Sequence, residues 1–356
     1  MRRPFGFRAT TGILALGMAF AIAGPALADD TATPSGMIVV DTAAPWTHTP
    51  TGVVLPPSLG PFMRTTLSQS SANLVDVSIG YNDNASQTTL TVYVFRAGWP
   101  QASLWADRLS QAMAGTVERL GGKLAGEPRF AAFTPSGHAS ASALRVVQAT
   151  EGGSIRSTGA VVIPADPWLV TMRMSSNTLS PGELDAALLK AATALTVPAP
   201  KTPLPAAVVL AACPDALVFK PAQRGKRDMQ HAILAATFIV TAEEEPTKAD
   251  AQPATAPALC RDPSSDRTRG IYRIPGEADR YVIGIGDAGV TAEVAPNPVS
   301  GELKRPAIDL TLTMFERKMV FTPFKSTPTV DQVLQAVQHD RPEAVVTDGQ
   351  NIEIVP

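Results

Sequence analysis

The chain is poor in the side chains that most often carry chemistry. Two cysteines, four histidines and an aromatic fraction of 6% are all that 356 residues provide. No histidine stands at ligand spacing from another histidine or from either cysteine, which argues against a locally encoded zinc site. An excess of positive charge is missing too: 30 Lys and Arg face 32 Asp and Glu, for a formal charge of −2. Nucleic-acid binders carry a strongly basic footprint, so that class is excluded. Neither an S-x-x-K motif nor a G-x-S-x-G nucleophile elbow occurs, since Ser136-Gly137-His138 lacks glycines two residues either side of the serine.

The first thirty residues hold a clear pattern. Arg2, Arg3 and Arg8 form a positive start, Ile13 to Ala23 an apolar run, and Ala26-Leu27-Ala28 a small-x-small site before Asp29. This is the signature of a cleavable bacterial signal peptide, with cleavage between Ala28 and Asp29. The apolar run falls short of the ~20 residues that span a bilayer, so no transmembrane helix is expected after cleavage. No cysteine lies near the site to be lipidated. Arg2-Arg3-Pro4-Phe5 fits either the twin-arginine route or an ordinary secretory start. Removing residues 1–28 deletes three arginines and no acids, leaving the mature chain at −5.

Export gives the two cysteines a meaning. In the periplasm, or outside the cell, a lone pair is most simply a disulfide, so Cys213 and Cys260 are expected to be joined. Such a link stabilises the fold by roughly 4 kcal/mol in the chain-entropy model.

The mature chain is long enough for two ordinary domains. After a polar leader (29–36), residues 37–198 read as one unit. Val75, Val77, Ile79 and Tyr81 alternate with polar residues, Asn82-Asp83-Asn84 makes a turn, and Leu90, Val92 and Val94 alternate again. Trp105, Leu109, Met113 and Val117 recur every four residues as a helix ended by Gly121-Gly122. Strand-like runs follow near 142–149, 154–163 and 168–175. Ser180-Pro181-Gly182-Glu183 is a capping box opening a last helix. The order strand, strand, helix, three strands, helix predicts an α+β layer fold.

With its hairpin at Asn82-Asp83-Asn84, its helix from Gln101 and its closing run from Trp168, this unit resembles the PsbP-like fold of photosystem extrinsic subunits and their bacterial periplasmic relatives. The resemblance covers about half the mature chain and implies a non-enzymatic accessory or binding role. It transfers no functional residue.

Ala-Pro-Lys-Thr-Pro-Leu-Pro at 199–205 reads as a stiff linker. The second unit, 206–356, is expected to be α+β as well, giving two domains that are each an antiparallel sheet with packed helices. It holds an apolar strand-like run from His231 to Val240, then a Glu-, Pro-, Ala- and Thr-rich segment (241–258) expected to be a mobile loop. Strands are expected at 279–285, 289–294, 307–315 and 352–355. Thr329 is placed to cap a helix running to Gln338.

Gly284-Ile285-Gly286-Asp287-Ala288-Gly289 matches the dinucleotide fingerprint, but the strand-like Val290 to Val294 follows where the fingerprint needs a helix N-terminus. A hairpin turn is the better reading, and no cofactor is expected. Trp46, Trp99, Trp105 and Trp168 read as packing residues rather than a sugar-binding platform. His339 and Asp340 point to different sides of a helix and form no dyad. Arg224, Arg261, Arg267, Arg269 and Arg273 cluster after the two cysteines. A disulfide could gather them into a contact for a small anionic ligand or an acidic partner, the alternative being a solvated face paired with nearby acids. No catalytic or metal-binding residue is expected. Together these features predict an exported, non-catalytic binding or accessory protein of the bacterial envelope, its partner an envelope protein or small anionic ligand. A cell-envelope hydrolase assembled from distant residues is the alternative.

Overall fold

The computed structural model describes residues 36–41, 43–70, 72–165, 167–244, 258–297 and 307–355. The export signal (1–28) and most of the polar leader therefore lie outside the described residues, as do 245–257 of the expected mobile loop.

In chain order the first part runs β1 (Gly36–Met37), β2 (Trp46–His48), β3 (Val53–Leu55), β4 (Ser58–Leu59), β5 (Phe62–Gln69), β6 (Asp76–Asp83), β7 (Thr88–Arg96) and helix α1 (Ala102–Arg119). It continues with β8 (Gly122–Phe133), β9 (Ala143–Gly152), β10 (Ser157–Ala165), β11 (Trp168–Ser176) and α2 (Pro181–Ala194). The second part holds β12 (Ala211–Ala212), α3 (Met229–Glu244), β13 (Cys260–Arg261), β14 (Arg269–Arg273), β15 (Tyr281–Ile285) and β16 (Val290–Pro296). It ends with β17 (Ile308–Met314), β18 (Arg317–Phe324), α4 (Val330–His339), β19 (Ala344–Thr347) and β20 (Asn351–Ile354).

The expected α+β pair of domains is overturned. Strand accounts for 42% and helix for 20% of the described residues, and the architecture is two nine-stranded sheets, antiparallel except for the short β12–β13 pairing, with a separate two-stranded β2–β3 hairpin. The first sheet is ordered β1-β5-β6-β7-β11-β10-β9-β8 with β4 beside β5, and the second runs from β12 and β13 in sequence order to β20. Several strands lack a clean apolar alternation, and these shift the balance. In β8 a bulge between Ala125 and Arg129, around Gly126 at positive φ, breaks the period of two. In β5 a register shift lies between Arg64 and Thr66.

The helices are not distributed as one set per domain either. Helix α2 packs Leu184, Leu188 and Ala191 on one face of the first sheet, beside Val161 and Met172. Helix α1 covers the other face with Leu104, Trp105 and Leu109, against Leu144, Val146 and Val162. The same helix also packs on Tyr272 and Val282 of the second sheet. No residue from Gln101 to Val117 is exposed, so α1 is a layer shared by both sheets.

Cross-strand partners share a face, which orders the second sheet. Tyr272, Val282, Glu293, Thr311, Val320 and Ala344 are successive partners from β14 to β19. Helix α1 lies at the Tyr272 end of this row and α3 at the Ala344 end. On the opposite face α4 packs Val333, Ala336 and Val337 on Ile283, Leu310 and Phe321. The capping box read at Ser180 is formed with Glu183, and the cap read at Thr329 is formed as well, as a capping box with Gln332.

Candidate functional site

Helix α3 occupies the segment whose apolar residues suggested a strand, so that expectation is corrected. The run Phe238-Ile239-Val240-Thr241 has strong strand character, but Ala232, Ala235 and Ala236 recur at helical spacing. Their small side chains let the helix lie close on Val320, Ala344 and Val346. Asp228 accepts the Gln230 N–H at 3.0 Å and caps the start.

The inner side of α3 carries His231, 8% exposed. Its Nε2 lies 2.8 Å from Asp309 Oδ1, and its Nδ1 lies 3.6 Å from Glu343 Oε2. Asn297 Nδ2 donates to the other oxygen of Asp309 at 2.9 Å, and Thr322 Oγ1 donates to Glu343 Oε1 at 2.8 Å. Burial alone would lower the histidine pKa. The hydrogen bonds and charges of Asp309 and Glu343 outweigh it and raise the value to about 9. His231 is therefore an imidazolium at neutral pH, held between two carboxylates. The carboxylates meet opposite edges of the ring, so the three groups cannot close around one metal ion.

The outer side of α3 is unlike an ordinary surface. Met229, Gln230, Ile233, Leu234, Thr237, Phe238 and Thr241 are exposed, and none is charged. Met229 is 65% and Ile233 44% accessible. Soluble helices normally turn charge outward and large apolar groups inward. Here Met229, Ile233, Leu234 and Phe238 face out, while the alanines, with Ile239 and Val240, face in.

The other histidines serve the fold. His48 is fully buried, bonded to Thr51 Oγ1 at 2.7 Å and to the Leu74 carbonyl at 2.8 Å, with Trp168 edge-on at 5.1 Å. Burial lowers its pKa against the pull of the Leu74 carbonyl. His138 Nδ1 meets the buried Ser142 Oγ at 2.7 Å. His339 ends α4 and Asp340 follows as its C-cap.

The Cys213–Cys260 disulfide, Cα atoms 5.0 Å apart, has Arg261 next to Cys260 on β13 and Arg273 as the cross-strand partner of Cys260 on β14; Arg269 lies at the start of β14, while Arg224 lies apart, bridged to Phe324 of β18. Arg224 lies over the Phe324 ring, donates to the Thr322 carbonyl and pairs with Asp340. Arg261 pairs with Asp107 at 3.1 Å and Arg267 with Glu118, both acids on α1. Arg269 bridges Asp266 and Asp331, and Arg273 pairs with the buried Asp262 at 3.1 Å.

The Gly284–Gly289 motif forms the β15–β16 hairpin, with Gly286 and Gly289 at positive φ. Its glycines are the joint with the first sheet. Gly284 leaves room for Arg108 and the Tyr272 ring, each within 3.2 Å of where a Cβ would stand. The Gly286 carbonyl accepts from Arg108 Nε at 2.9 Å, and the Gly289 carbonyl from the Gly98 N–H at 2.8 Å. Asp287 pairs with Arg173. Arg108, 1% exposed, also donates to the carbonyls of Asp266 and Arg267. Trp99 seals the joint by donating to Glu293 at 3.0 Å, and Trp105 is wholly buried.

Two depressions accompany these features. One, about 420 Å³ and open, is lined by Phe219, Lys220, Asp279, Lys325 and Thr327 among others; the second, about 40 Å³, lies beside Asp107 and Phe130. Neither is lined by a histidine. Among the described residues, no helix is long and apolar enough to cross a membrane. Comparison with family models, with curated proteins and with solved structures finds no match.

Asp309 and Glu343 escaped the sequence reading because they reach His231 from far along the chain, Asp309 from β17, 78 residues away, and Glu343 from just before β19. The Ala-x-x-Ala-Ala spacing at 232–236 is the local signal that would have revealed the helix.

Proposed function

We propose that the chain is an exported, non-catalytic binding or accessory protein of the bacterial envelope that engages a partner through the outer arc of α3. The observation that carries this reading is that arc: a helix face with large apolar side chains in solvent and no charge among them. The signal pattern of residues 1–28 and the Cys213–Cys260 disulfide support export to the periplasm or beyond. The resemblance of the first unit to PsbP-like accessory proteins is in keeping with such a role.

An envelope protein suits the arc better than a small anionic ligand suits the arginines. Such a ligand would have to displace Asp107, Glu118 or Asp262 from guanidinium groups they already hold. The hydrolase reading gains nothing from His231, which is buried between two carboxylates. A photo-crosslinking residue at Leu234, compared with one at the exposed Glu127 on the first sheet, tests the proposal in envelope fractions. A discrete protein adduct from Leu234 and none from Glu127 is expected. No adduct from α3, together with turnover of an ester or peptide substrate, would overturn it.

A further inference from the structure

The larger depression, about 420 Å³, lies at the end of the second sheet where β15 and β17 begin and β18 finishes. Its apolar wall is Ile308 of β17 and the half-buried Phe219, whose ring stacks on Tyr281 with centroids 5.9 Å apart. Tyr281 is fixed in turn by donating to the Pro328 carbonyl at 2.8 Å. The polar lining includes Lys220, Lys325, Asp279 and Thr327. The five arginines considered above each have a carboxylate partner, and these two lysines do not. Among the described residues Lys220 has no hydrogen bond or ion pair, and Lys325 Nζ donates only to the Gln223 side chain at 3.2 Å. Asp279 accepts from the buried Thr327 Oγ1 at 2.9 Å. Two ammonium groups against one carboxylate leave the depression with a single positive charge in excess.

We propose that this depression binds a small organic monoanion, a carboxylate carried on an aromatic or aliphatic body. Lys220 and Lys325 hold the carboxylate, and the body lies on Phe219 and Ile308. The volume suits a small molecule, and an apolar wall with a few placed polar groups is how such sites combine affinity with orientation. Ammonium groups with no carboxylate of their own make charge-assisted hydrogen bonds to an incoming anion and give up only water. The arginines would have to release Asp107, Glu118 or Asp262 to do the same. Asp279 sets the charge of the ligand, because it repels a second negative group and so favours a monoanion over a phosphate ester. None of the lining residues belongs to α3 or to the arginine set, so the site stands or falls apart from the interaction role proposed above.

Saturation-transfer NMR on the purified chain at low salt, with benzoate as the probe, tests the site. Benzoate should bind with a dissociation constant of about 1 mM, in line with its few atoms. Benzylamine, a similar ring with the opposite charge, should not bind. Acetate, the same charge without the ring, should bind at least about tenfold more weakly. Lys220→Gln and Lys325→Gln should each weaken benzoate by about tenfold. Both side chains are exposed, so the circular dichroism spectrum and melting temperature should not change. Asp279→Asn can still accept from Thr327 but no longer repels an anion, and should tighten benzoate by about threefold. A purely structural role for these residues would not produce that gain. No benzoate binding up to about 10 mM, tenfold above the expected affinity, overturns the proposal. So does binding indifferent to both lysine variants, or benzylamine or acetate matching benzoate.

Discussion

His231 is the residue whose surroundings most constrain the behaviour of the molecule. Its pKa rises from the ordinary histidine value to about 9 on folding, so the unfolded chain holds that proton less tightly. The resulting stabilisation is fully present below about pH 6.5 and is lost as pH rises through 9, a difference of about 3 kcal/mol at full extent. Denaturant melts between pH 6 and 10 should therefore show stability falling with pH, and His231→Gln should flatten that limb. A slope unchanged in the variant would place the titration elsewhere. None of this could be read locally, because His231 takes its character from strands that the sequence does not mark as its neighbours.

At the scale of elements, legibility followed local chemistry. The caps at Ser180 and Thr329 are made from residues three apart, and both were readable. The β6–β7 hairpin was readable because its apolar residues alternate, and Val77 duly pairs with Val94. Helix α3 was not, since β-branched and aromatic residues outweighed the alanines that decide its packing. The hairpin at Gly284–Gly289 was anticipated as a turn but not as a joint. Its glycines should respond unequally to substitution. Gly286→Ala meets open space and should cost about 1–2 kcal/mol for its positive φ alone. Gly289→Ala also drives a methyl to 2.9 Å from the Arg96 carbonyl and the Phe95 ring, and should cost several kcal/mol more in chemical denaturation. Equal losses would contradict the close approach of the two sheets at Gly289.

Over the whole molecule, the sequence suggested two units in line, whereas the structure builds them around a common layer. The long-range groups that achieve this are Arg108, Asp107 and Tyr272. Tyr272 donates to Asp107 at 2.8 Å, while Arg108 satisfies three carbonyls of the second sheet. Arg108→Lys replaces a planar fork with a point donor that cannot serve all three, and should destabilise by about 2–4 kcal/mol. Both sheets should still melt in one transition in the wild type, and the variant should lower or split it in calorimetry. A wild-type chain melting in two independent steps would refute the coupling.

The shared helix also sets an order of events during synthesis. When α1 has emerged from the ribosome, the carbonyls that will receive Arg108 still lie 158 to 178 residues beyond it in the chain. Throughout that interval a guanidinium and a flank of apolar side chains, destined for the interior, face water. The nascent chain thus spends nearly half its synthesis with its central seam open, a span in which a chaperone could recognise it.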